Sequence, residues 1–162
     1  MADMADSAFR RTPTGASRLL FRLPVHLYRI GLGWLFGRRL LLLNHIGRVS
    51  GKKRRVVVEV VERDPDAGTY TVCSGFGPKA AWYRNLMATP DVTIQVGVRT
   101  AEVTAVPLPP EEAGEVLVRY ARRRPRTARG LTRFMGFETD GSEAAYRRAG
   151  TALPFVRFVP RT

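Results

Sequence analysis

Between Asn44 and Arg55 the chain reads NHIGRVSGKKRR, with five basic residues (Arg48, Lys52, Lys53, Arg54, Arg55) and no acid. Arg48 and Arg54 can offer forked donors to a phosphate or a carboxylate. Gly47 and Gly51 permit backbone geometry that brings N–H groups onto an oxyanion. The stretch therefore reads either as an anion cradle for a phosphorylated ligand or as a solvated basic turn. A second stretch, Ser74 to Pro90, reads SGFGPKAAWYRNLMATP. A strand ends at Ser74, a glycine loop follows and a helix begins near Lys79. Free N–H groups at a helix start favour an anion or an electronegative ring edge. Ser74, Lys79 and Asn85 are polar groups in apolar surroundings, and Trp82 and Tyr83 can wall a flat ring. The alternative is that Trp82 and Leu86 are core while Lys79 and Arg84 are solvated.

Other chemistries fail on spacing. GFG is not GxGxxG, and no acid follows it at the distance a dinucleotide fold requires. No Walker sequence is present, nothing singles out His26 or His45 for a Ser–His–acid triad, and an RNA-binding strand motif is missing. One cysteine, Cys73, and two histidines give no disulfide framework and no typical zinc set, so no metal is expected. The cysteine usage fits a reducing cytoplasm.

The elements that must position these residues follow in order. At 162 residues one domain is expected, and 44% hydrophobic content with a mean hydropathy of −0.16 fits a globular chain. The net charge of +13 favours anionic partners, although the basic residues are spread along the chain rather than gathered in one patch. Residues 1–16 read as a disordered lead and 17–162 as a single domain. From Ser17 to Phe36, Arg18, Arg22, His26, Arg29 and Gly33 fall within a sector of roughly 80° at helical pitch. This predicts an apolar helix with a basic stripe, kinked or split at Pro24. It would lie in the plane of a membrane with its arginines reaching headgroups, or pack over a sheet or a subunit partner.

Strands are predicted at 40–46, 54–62, 69–74, 92–97, 99–106 and 153–159, and helices at 79–87, 110–124, 127–137 and 142–149. Strands without regular helix alternation argue against a doubly wound sheet. The expected fold is α+β: a six-stranded, mostly antiparallel split β-barrel with peripheral helices.

Taken together, the compound pattern GRxSGxxR, a strand ending SGFG, then WYxNLxAxP and the VTIQVGVR hairpin strongly resembles the deazaflavin-dependent nitroreductase family, split-barrel oxidoreductases that use flavins or deazaflavins. The resemblance covers about Leu40 to Val106, with a looser match to LPFVRFVP. It implies an enzyme that binds reduced coenzyme F420, with FMN as the alternative cofactor, and passes a hydride to a lipophilic acceptor such as a quinone, nitro compound or enone. By the same resemblance, Arg48, Ser50, Lys52 and Arg54 would receive the phosphate and tail. Ser74, Phe76, Gly77 and Lys79 would form the loop over the cofactor, and Trp82, Tyr83 and Asn85 would border its ring. Ser74 and Tyr83 are the catalytic candidates, with Tyr120 and His45 as further proton donors.

The chain departs from the family in two places. Its 74–82 loop is one residue shorter than in the nitroimidazole-reducing members. Residues 122–137 carry no tyrosine where those members set several over the substrate, and offer Phe134, Met135 and Phe137 instead. A non-catalytic carrier of a lipid or fatty acid in the same barrel is the rival reading, favoured by those absences and by the apolar 17–36 helix. Nucleic acid is not an expected partner. Family analogy suggests a homodimer, while the cysteine usage and the basic helix at 17–36 suggest a cytoplasmic location that extends to the inner membrane face.

Overall fold

The computed structural model describes residues 39–162; the predicted lead at 1–16 and helix at 17–36 lie outside them. Among the described residues the strands are β1 (Leu40–Ile46), β2 (Lys53–Asp64), β3 (Thr69–Cys73), β4 (Asp91–Val96), β5 (Arg99–Pro107) and β6 (Phe155–Pro160). The helices are α1 (Ala81–Ala88), α2 (Pro110–Arg123), α3 (Pro125–Phe134) and α4 (Glu143–Ala152). The strands close a barrel in the order β1-β2-β3-β6-β5-β4, with β4 returning to β1. Every pairing is antiparallel. Closure removes the edge strands that would otherwise template aggregation.

Alternation sets two cores. Leu41, Leu43, Val58, Val72, Val92, Ile94, Val103, Val156 and Phe158 fill the barrel, joined by Leu86 of α1. Val61 and Phe155 point outward, beneath a layer made by Val116, Leu117 and Tyr120 of α2, Ala128 of α3 and Tyr146 of α4. The strand period of two does not by itself allow both Val61 and Glu62 to face that layer. A β-bulge between Val60 and Glu62 shifts the phase. Glu62 then takes two hydrogen bonds from Arg119 of α2, at 2.7 and 3.2 Å.

Pro125 was expected only to stop α2; it also opens α3 at the first helical position, where its missing N–H costs nothing. The helix expected to reach Phe137 ends earlier. Gly136 at φ 93 donates to Arg133 O, and Phe137 N–H reaches Thr132 O at 2.8 Å, a Schellman closure. Where α2 meets α4, a Cβ on Gly150 would lie 2.7 Å from Gly114 Cα and 2.8 Å from Ala113 O. Both neighbours are backbone and cannot rotate away. Gly150→Ala is expected to cost about 2 kcal/mol or more, read as a lowered urea midpoint with an unchanged slope.

Candidate active site

The loop of residues 47–52 joins β1 to β2 beyond the pair Ile46 and Lys53. It spends its own amides: Gly47 N–H donates to Lys52 O and Gly51 N–H to Gly47 O, each at 2.8 Å, and Lys52 N–H reaches Ser50 Oγ at 3.2 Å. The two glycines thus shape the turn, Gly51 at φ 68, and their N–H groups are not the anion donors the sequence suggested. Side chains remain for that task, and Arg48, Ser50, Lys52, Lys53, Arg54 and Arg55 are all exposed. A Cβ on Gly47 would meet Ser50 Oγ at 2.6 Å and Arg54 Nε at 3.2 Å. The bare glycine is therefore what lets Ser50 and Arg54 converge.

Asn85, on α1, is the hinge of the site. Fully buried, its Oδ1 accepts from Arg48 N–H at 3.1 Å and from the Arg48 guanidinium at 3.0 Å. Its amide nitrogen lies 3.0 Å from His45 Nδ1. Because Oδ1 is already accepting, the nitrogen must donate, which assigns Nδ1 as acceptor and places the ring proton of the neutral imidazole on Nε2. His45 is buried on β1 and pairs across the strands with Arg54. Burial, and secondly the Arg54 charge, lower its pKa to about 4. The imidazole is therefore neutral at pH 7, so it holds no acidic imidazolium proton there.

The downstream loop is locked as well. Ser74 is completely buried, and its Oγ donates to Gly77 O at 2.7 Å while Gly77 N–H returns to Ser74 O at 3.0 Å. A hydroxyl carries one proton, and this one holds the turn rather than facing a substrate. Gly77 sits at φ 79. Gly75 lies against the Met135 side chain, and Phe76 meets Phe134 edge-on with centroids 6.0 Å apart. The end of α3 thus braces the loop, a partnership the sequence hinted at only through the apolar content of 134–137. Trp82 and Tyr83 are half-buried, T-shaped at 6.2 Å, and pack on the barrel core. Lys79 is exposed at the loop.

Two other candidates fall elsewhere. Tyr120 is buried in the helical layer and donates to Glu59 Oε1 at 2.7 Å; burial, and then Glu59, push its pKa up. Cys73 packs beside the same layer, and burial raises its thiol pKa. The structure thus brings together the basic loop, His45 and Asn85, sets Ser74, Phe76 and Gly77 in a neighbouring braced turn, and removes Tyr120 from the group.

The arrangement suits a ligand with a polyanionic tail and a flat head. Comparison with known proteins points the same way. Residues 20–134 match the model of the family described as F420H(2)-dependent quinone reductase. Two F420H(2)-dependent quinone reductases from strains of Mycobacterium tuberculosis are 35% identical over 100 residues, an alignment covering 57% of this chain. It spans 66%, just under two thirds, of those relatives' length. A solved F420-H2 dependent reductase, FDR-A, superposes with a TM-score of 0.51 at 25% identity, covering 75% of this chain and 95% of the other. A solved domain-swapped dimer shares the fold at 22% identity and a TM-score of 0.52, covering 89% and 99%. The family resembled in the sequence is thereby sharpened from nitroreductases in general: this chain belongs to the F420H(2)-dependent quinone reductase family.

Proposed function

We propose that this protein is an oxidoreductase that binds reduced coenzyme F420 and delivers a hydride from it to a quinone-type lipophilic acceptor. The observation that carries the reading is Asn85. It bonds the GRxSGxxR loop to the WYxNL helix through Arg48, so the two motifs form one site. The residues fit the cofactor's chemistry. Its phosphate and acidic tail call for several cations with one already oriented, and the loop supplies Arg48 held by Asn85, with Ser50 and Arg54 converging at Gly47. Lys52 adds an exposed charge at the same turn. Trp82 and Tyr83, with Phe76 and the 74–77 turn, border the space for the ring.

When bound, the cofactor supplies the hydride. The chain holds the tail, presents the ring beside α1 and excludes water with Trp82, Tyr83 and Phe76. Of the four proton-donor candidates, Tyr83 carries that assignment best, because the Ser74 proton is committed to Gly77 O, Tyr120 is committed to Glu59 and His45 is neutral. Ser74 then serves as a positioning residue for the loop.

The deciding experiment titrates deazaflavin and FMN side by side. Quenched deazaflavin fluorescence with weaker FMN binding is expected, and no binding at tens of micromolar would sink the reading. Arg54→Ala removes one charge-assisted contact and should weaken cofactor binding roughly tenfold. Retention of full affinity would take Arg54 out of the tail site.

A further inference from the structure

Beside the braced loop, α3 and the chain leaving it form a cavity of about 470 Å³ lined by Arg129, Arg133, Phe137, Glu138 and Thr139. Arg129 and Arg133 are one turn apart on one face of α3. Several arginines of the helical layer are paired: Arg119 with Glu62, Arg122 with Glu143, Arg147 with Glu115 and Arg157 with Glu112. Arg129 and Arg133 have no such partner among the described residues. Thr139 Oγ1, on the same cavity, is buried without a hydrogen-bond partner, the one such side-chain atom among the described residues. A buried hydroxyl normally finds a partner, and two unspent guanidinium groups beside it define which chemistry would complete it: an oxyanion acceptor. Phe137 supplies an apolar ring as the wall. Glu138, exposed on the rim, leaves two cations against one acid, which suits a single negative charge better than a doubly charged phosphate.

We propose that this cavity receives a carboxylate or sulfonate carried on an aromatic small molecule, and that this molecule is the acceptor. Its role as acceptor rests on the reductase reading; the site does not. Phe134, next to Arg133, touches Phe76 of the loop, so an acid group held here would leave its ring pointing toward the 74–77 turn.

The test measures equilibrium binding to the full chain without cofactor, using a naphthoquinone sulfonate, the neutral naphthoquinone and inorganic phosphate as probes. The sulfonate is expected to bind at least about tenfold tighter than the neutral quinone, with phosphate weaker than the sulfonate. The double change Arg129→Gln and Arg133→Gln should abolish that advantage, and Thr139→Val, which preserves shape, should reduce it several-fold. Arg126→Gln, outside the cavity, serves as the control for loss of charge alone. Equal affinity for sulfonated and neutral probes, or an advantage that survives the double change, overturns the site. Should the double variant unfold, Arg133→Lys decides: it keeps the charge and loses the fork, so unchanged sulfonate preference would count against the proposal. Deazaflavin titration of the same samples separates the two claims. Lost cofactor binding with intact sulfonate preference sinks the reductase reading alone.

Discussion

Asn85→Ala is expected to lower stability by about 2–4 kcal/mol and to weaken cofactor binding by about one to two orders of magnitude. The stability loss follows from what the amide leaves behind. Arg48 N–H loses its acceptor in a part-buried setting and His45 Nδ1 loses its donor in a buried one, and an unmade buried bond costs roughly 1–3 kcal/mol. The affinity loss has a separate origin. The Arg48 guanidinium is oriented by Oδ1, and releasing it means that binding must fix a long side chain again. Asn85→Asp separates these effects. It keeps an acceptor for Arg48 but places a carboxylate beside His45, which should draw the imidazole pKa upward from about 4. It also sets a negative charge beside the loop proposed to receive the anionic tail. A smaller stability loss than in Asn85→Ala at pH 7, with the imidazole proton moving to Nδ1 to meet the carboxylate, weakened cofactor binding and an upshifted His45 resonance titration are the expected outcome. Wild-type affinity in both variants would show that Asn85 does not position Arg48 for the ligand.

The second large effect is a loss of stability on mild acidification. His45 has a folded pKa of about 4, below its ordinary 6.5, so the unfolded chain binds the proton first. Stability is therefore fully present above pH 6.5 and declines as pH falls toward 4. The shift sets an upper bound of about 3 kcal/mol, and solvent relaxation around the ring will reduce it. The groups facing the imidazole are the Arg54 guanidinium and the Asn85 amide. Glu115 and Glu143, lowered by their bonds to Arg147 and Arg122, and Asp140, lowered by Ser142, are exposed. They lose their contributions only below about their ordinary values of 4.5 and 3.8, so among the described residues the interval from 6.5 to about 4.5 belongs to His45. Urea unfolding across that interval should show a falling midpoint in the wild type and a flat one in His45→Gln. Identical slopes in both would rule out His45 as the source.

Much of this was legible beforehand because local rules and global packing agree. Runs such as LLLLNHI and RRVVVEVVE alternate or saturate with β-formers, Gly97 permits a tight hairpin, and Pro110 with Glu111 and Glu112 marks a helix start. All lie where local chemistry has one outcome. The two motif stretches stood out by residue type, each still open to a plainer reading as a solvated turn or a core-facing helix, and their order along the chain carried the family resemblance. Register was less so: the bulge at Val60–Glu62 answers to Arg119, 57 positions away, and no window of β2 alone contains that information.

The sequence by itself determined the number and type of elements among the described residues, the cationic character of the 47–55 loop and the family to which the chain belongs. Tertiary structure decided which donors are spent. Gly47 and Gly51 close their own turn, and the Ser74 proton belongs to Gly77 O. Asn85 reads in sequence as a residue beside a ring, and its fold position makes it the clamp on Arg48 and His45. The physical reason is that a hydrogen bond needs two groups at about 3 Å. Residue types announce the capacity to form one, whereas only the packing of α1 over the end of the barrel chooses the partner.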